Sequence, residues 1–282
     1  SMYGGAPRAG GAAFVLDRGA DVSHFNYFAN DRTVAAVAAA LTSDAPDGFA
    51  PIGPLSWAGE DAGGSRGARA AARSRGATDI DPAQRPAVFV LPGILGSNLK
   101  LDGKRIWLGL RFVNGLTKLA WDPATASHVE PDGPIGLTYD DLIEHLAATH
   151  AVHEFASDWR RPIEDEARRL ADAVDRELDL RRASGQPVRI VAHSMGGLVA
   201  RTMQLERPST WQRMMAVDGA RLLMLGTPNG GSWAPMQTLS GDDTFGNALV
   251  AFGSLFDNGG ARRMMAAMPG FLQLQAGLLD PA

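Results

Sequence analysis

"RIVAHSMGGLVAR", residues 189–201, decides the fold. Its first part, with the preceding "PV", is short, apolar and β-branched, the pattern of a buried strand. Its second part continues through "TMQLERP" as a helix that stops before Pro208. Between them Ser194 is flanked by Ala192 two residues before and Gly196 two residues after, with Gly197 adding room. Strand, small-x-Ser-x-Gly and helix in that order read as a nucleophile elbow, a strained turn that lifts a serine hydroxyl clear of a sheet. The flanking residues must be small because strand and helix come together there. The helix N-terminus favours negative charge, which places the backbone N–H of Met195 to meet an oxyanion. The plain alternative is a serine in a tight turn. His193 is not read as the base: adjacent strand residues point to opposite faces, so its ring is expected to pack on the sheet.

Around this stretch the chain alternates between short apolar runs and amphipathic ones. "AVFVLPG" reads as a buried strand ending at Pro92-Gly93, and "VHEFASDW" as a second. "PIEDEARRLADAVDRELDLRRASG" reads as a helix with Ile163, Leu170, Val174 and Leu178 along one stripe, closed by Gly185. "ARLLMLGTP" is a further strand after the elbow helix. This alternation predicts an α/β fold with a mostly parallel sheet covered by helices on both faces. "VLPGILGSNL" offers a second amide for the same oxyanion, with Ile94 as the first choice and Leu95 in reserve. A Pro-Gly pair after a strand is also a simple turn signal.

The 282 residues suffice for one large domain with appended pieces, and 45% hydrophobic against 21% charged residues can bury a core. A net charge of −4 gives no general basic footprint, so nucleic acid is not an expected partner. With no cysteine there is no disulfide, thiolate metal site or cysteine nucleophile. No cofactor and no metal are expected, since no ligand spacing or phosphate-binding Gly-rich loop stands out. The absence of a leader-like start, a membrane-length apolar run and cysteine leaves localisation open, leaning to the cytoplasm. Oligomeric state is not legible.

Three regions separate by composition. Residues 1–45 hold "AAFVLD" and a helix candidate, "NDRTVAAVAAAL", capped by Asn30 or Asp31, with Val34, Val37 and Leu41 on one face. Residues 46–85, rich in Gly, Ala, Arg and Pro, read as a flexible linker. Residues 86–282 form the α/β domain, in which "RIWLGLRFVNGLTKLAW" (105–121) reads as either a buried or a lipid-facing apolar segment.

"VLPGILGSNL", "SDWRRP", "AHSMGG" and "LGTPNGGSWAPM" follow one another as in the lecithin:cholesterol acyltransferase and phospholipid:diacylglycerol acyltransferase family, which residues 86–282 resemble. The resemblance implies an α/β-hydrolase acting on lipid esters without a cofactor, with a lid inserted after Ser232. It implies Ser194 as nucleophile and the amides of Ile94 and Met195 as the oxyanion hole. In that family the acid and the histidine follow the serine, yet no histidine follows His193 here. The C-terminal end therefore reads as incomplete or rearranged. Asp242 and Asp243 in "SGDDTFG" read as lid or turn residues.

The front of the chain, "DVSHFNYFANDRTVAAVAAAL", resembles the end of a catalytic domain of the family. There His24 matches the base histidine, Asn26 the asparagine after it, and the helix to Leu41 the closing helix. His24 is the candidate base, either for Ser194 or as a remnant of a neighbouring unit. Asp17 and Asp21 lie near it without matching an acid position, and no acid is assigned. The expected function is a serine-dependent ester hydrolase or O-acyltransferase acting on lipid or other carboxylic esters through an acyl-enzyme. Its partners would be a lipid or small ester and, as an open option, a lipid surface. The alternative is a non-catalytic hydrolase-fold module or an inactive fragment of a larger protein.

Overall fold

The computed structural model describes residues 13–14, 30–43, 46–51, 81–107, 119–124, 128–241 and 258–276. The chain divides into two units, residues 1–78 and 79–282. In the first, β1 (Ala13–Phe14) pairs antiparallel with β2 (Ala50–Pro51). Its helix α1 (Asp31–Thr42) starts as the sequence suggests: the Asn30 side chain accepts from the Arg32 and Thr33 amides. Thr33, Val37, Ala40 and Leu41 form its buried stripe.

The second unit is built on a four-stranded, wholly parallel sheet. Its order is β7 (Ala151–Glu154), β3 (Ala87–Leu91), β8 (Val188–His193), β9 (Arg221–Leu225). All five residues of β3 are buried, as expected for a strand covered on both faces. Helix α3 (Ile163–Leu180) buries Ile163, Ala167, Leu170, Ala171, Val174 and Leu178, spaced three or four apart along one face. Glu164, Asp165 and Glu166 occupy its first turn, where the helix dipole favours negative charge. Beyond its last turn, Gly185 at φ +67° donates its N–H to the Arg181 carbonyl. Helix α3 packs on α4 (Met195–Glu206) and on α5 (Pro208–Met215). The fully buried Leu170 sits at the centre of this layer, and truncating it to alanine would cost about 2–5 kcal/mol.

Alternating composition did not announce the rest of this unit. A three-stranded antiparallel sheet, β5 (Lys104–Arg105), β4 (Ser97–Leu101), β6 (Val129–Pro134), follows the β3 loop and leads into α2 (Gly136–Ala147). "VEPDGP" carries a glycine at φ +77° and two prolines, which disguise a strand paired to β4 through an irregular register. "VHEFASDW" is a strand only through Glu154; Ser157 to Arg160 lie in the following loop. The last described helices are α6 (Ala234–Ser240), α7 (Asn258–Ala266) and α8 (Pro269–Leu272). Trp107 and Leu119, within the apolar segment 105–121, are buried, while residues 108–118 lie outside the described residues. No described helix is long and apolar enough to cross a membrane.

Candidate active site

Ser194 stands between the last residue of β8 and the first of α4, with φ 53° and ψ −122°. A non-glycine residue at positive φ is costly, and such strain is held only where the surroundings enforce it. Here the enforcement is visible on both sides. The Ser194 N–H donates to the Leu225 carbonyl at the end of β9 (2.8 Å), and its carbonyl accepts from Gly197 (3.0 Å). A β-carbon on Gly196 would stand 2.6 Å from the Leu91 carbonyl oxygen and 2.7 Å from that of Pro92. One on Gly197 would collide with the Thr227 side chain. Only glycines let the helix start this close to β3 and to the turn after β9.

Against the elbow lies the loop after β3. A β-carbon on Gly93 would stand 2.8 Å from Ser194 Cβ and 3.3 Å from its Oγ, so this backbone touches the serine side chain directly. The loop is a tight turn: Gly96 donates its N–H to the Gly93 carbonyl (3.0 Å), with Leu95 between them at φ 61°. Trp107 Nε1 donates to the Leu95 carbonyl (2.9 Å), and the Ile135 N–H to the Gly96 carbonyl (2.9 Å). The Gly93 N–H donates to the Tyr139 hydroxyl (3.0 Å), which also bonds His193 Nδ1 (2.8 Å). His193 is thus buried beneath the elbow on Tyr139, in keeping with its expected packing on the sheet. Among the described residues, the N–H groups of Ile94 and Met195 have no protein acceptor. Burial pushes the Tyr139 phenol well above its usual range and keeps it neutral.

The "SDWRRP" run forms the wall behind this loop. Asp158 and Arg160 make a bidentate pair, Nε to Oδ1 and Nη2 to Oδ2, both 2.8 Å, and are almost wholly buried. The Trp159 indole donates to the Ser97 carbonyl (3.2 Å) and packs edge-on against Trp107 at 5.4 Å. Gly270 donates its N–H to the Arg160 carbonyl; a β-carbon there would meet two loop carbonyls at 2.5 Å and Met195 Cε at 3.0 Å. The "GTPNGGS" run after β9 is held by Arg201 Nη1 on Asn229 Oδ1 (2.7 Å) and by the bridge between Ser232 and Gln275.

Of the residues singled out in the sequence, Ser194, Met195 and Ile94 fall in one region, joined through Gly93. His24, Asn26, Asp17, Asp21, Asp242 and Asp243 lie outside the described residues. His128 is exposed beside Asp102, His145 ends α2, and His150 and His153 lie before and within β7, on other bonds than Ser194. Tyr139 was not legible: "GLTYDDL" is an ordinary helix start, and nothing in it marks a hydroxyl reaching β3 and β8. No described group of histidines and carboxylates is arranged to hold a metal ion.

The family model described as lecithin:cholesterol acyltransferase matches residues 130–261. The match covers a little under half of the chain, and this stretch is similar to that family. It takes in the elbow, the "SDWRRP" wall and the "GTPNGGS" turn, and begins after the amide loop at 92–96. The parallel sheet flanked by helices is that of an α/β-hydrolase. No curated protein matches the chain.

Proposed function

We propose that this chain cleaves lipid or other carboxylic esters through an acyl-enzyme on Ser194, passing the acyl group to water or to an alcohol. The observation that carries this reading is the backbone of Ser194, strained at φ 53° and pinned with its side chain against Gly93. In the reaction Ser194 Oγ attacks the ester carbonyl carbon while His24 takes the hydroxyl proton. The carbonyl oxygen becomes an oxyanion facing the N–H groups of Ile94 and Met195. Collapse breaks the bond to the alcohol, which leaves with the proton from His24. Water or a second alcohol then repeats the sequence in reverse.

Supporting it are the family match across the elbow, the two amides without acceptors among the described residues, and the likeness of "SHFNYFAND" to the end of a catalytic domain. The test is the intact mass and peptide map of the full chain after a fluorophosphonate ester. A single adduct on Ser194 is expected. No adduct, or one on another residue, rejects Ser194 as the nucleophile.

A further inference from the structure

We propose that Tyr139 is a positioning residue for the oxyanion hole, its hydroxyl clamping the amide loop to the strand end that carries the nucleophile. This rests on the reading of Ser194 as nucleophile. Tyr139 is 1% exposed and reaches from the first turn of α2 to the C-terminal ends of β3 and β8. There one oxygen serves both sides of the site. On the loop side it accepts the Gly93 N–H (3.0 Å); on the strand side it bonds Nδ1 of His193, the residue before Ser194 (2.8 Å). Gly96 makes room for it: a β-carbon there would stand 2.9 Å from the Tyr139 oxygen.

The loop needs such a tie. Glycines at 93 and 96 leave its backbone loose, and Leu95 at φ 61° adds strain that favours rearrangement. The Gly93 carbonyl is fixed by the Gly96 N–H (3.0 Å). Because the peptide is planar and trans, that bond also sets the direction of the Ile94 N–H, which points the opposite way. The remaining freedom is rotation of the peptide before it, and the Gly93 N–H held on Tyr139 removes that freedom. The same bond withdraws the Gly93 amide from the oxyanion, leaving the next N–H in the chain to serve. A hydroxyl suits this place because it can accept from an amide while sharing a proton with an imidazole nitrogen. Phenylalanine has the same shape and can do neither.

The test compares the full wild-type chain, Tyr139→Phe and Val174→Ala, the last a core truncation in α3 that lowers stability away from the site. Each is assayed well below its melting temperature for the bimolecular rate of fluorophosphonate labelling, and for kcat and KM on a soluble aryl ester. Labelling forms the Ser194 Oγ–phosphorus bond and expels fluoride, with charge growing on the phosphoryl oxygen, so it reads the same hole without a natural substrate. Tyr139→Phe should lower the labelling rate and kcat about 10-fold or more with KM little changed, while Val174→Ala leaves all three near wild type. A Tyr139→Phe chain that is folded and labels at the wild-type rate overturns the proposal and leaves the nucleophile standing. A wild-type chain not labelled at Ser194 overturns both. If Tyr139→Phe does not fold, 3-fluorotyrosine placed at position 139 keeps the hydroxyl but weakens it as an acceptor. A loss of about 2-fold or more in labelling supports the clamp, and an unchanged rate rejects it.

Discussion

Gly93 lies against Ser194 so closely that a β-carbon on the glycine would stand 2.8 Å from the Ser194 β-carbon. Both atoms sit at backbone roots, so no rotamer change relieves the overlap. Gly93→Ala must displace either the amide loop or the elbow, and a shift of a few tenths of an ångström misaims an oxyanion donor. We expect ester turnover to fall about 100-fold, with a stability loss of about 1–3 kcal/mol. Gly230→Ala, where nothing lies within 4 Å of the new atom, should change neither. Equal kinetics for the two variants would show that the loop tolerates the methyl and does not need its contact with the serine.

Ser194 itself carries backbone strain that its hydroxyl does not relieve. Ser194→Ala and Ser194→Gly should both be inactive, but they should separate in stability. Glycine accepts φ 53° without its β-carbon clashing, whereas alanine keeps the penalty. Ser194→Gly should be more stable than Ser194→Ala by about 1 kcal/mol, read from urea unfolding. Identical midpoints would mean that the elbow is unstrained.

Asp158 and Arg160 are close to fully buried and satisfy one another across two bonds of 2.8 Å. Removing one partner leaves a charge stranded in the wall behind the amide loop. Asp158→Ala should cost about 3–5 kcal/mol, and Asp158→Asn less, since the amide keeps an acceptor for the guanidinium. Urea unfolding at neutral pH measures both; a loss under about 1 kcal/mol for the alanine variant would mean that water reaches Arg160.

The elbow was legible because its demands fall on neighbouring residues: a strand, small residues at fixed offsets, a helix. The parallel strands and α3 were legible for a similar reason, since period and β-branching are local. The antiparallel sheet was hidden because Pro131, Gly133 and Pro134 break the strand pattern, and only pairing with Ser97–Leu101 makes β6 a strand. Tyr139 was hidden for a different reason. Its partners lie 46 and 54 residues away, and no local pattern encodes a bond formed by topology. Leu95 at positive φ was equally unannounced, since a turn of this kind ordinarily asks for glycine there.

His150 gives the fold a dependence on pH. Burial, and then the nearby Arg189 cation, push its imidazole down to about 4. It is held neutral between Thr149 Oγ1 at Nδ1 (2.8 Å) and Arg189 Nη1 at Nε2 (2.7 Å). Between pH 6.5 and 4 the unfolded chain binds a proton that the folded chain refuses, so stability rises with pH across that window. The contribution is fully present above about pH 6.5 and is lost as the pH falls toward 4, about 2–3 kcal/mol in all. His153, lowered mainly by its burial, acts in the same direction. Urea unfolding at pH 7.5, 5.5 and 4.5 should show wild type losing more stability than His150→Gln on acidification. Parallel losses would place the titrating group elsewhere.

The last prediction concerns the base. It rests on the likeness of "SHFNYFAND" to the end of a catalytic domain of the family. His193 Nδ1 bonds the Tyr139 hydroxyl, His150 bonds Arg189, and His153 pairs with Glu177. Members of a nucleophile–base pair act as a unit, and losing either costs nearly as much as losing both. His24→Ala in the full chain should therefore reduce ester turnover to the level of Ser194→Ala, and slow fluorophosphonate labelling of Ser194 by about 100-fold or more. His128→Ala, an exposed histidine beside Asp102, should leave both at the wild-type rate. Turnover that survives His24→Ala would remove the front segment from the chemistry and require a different group to take the Ser194 proton.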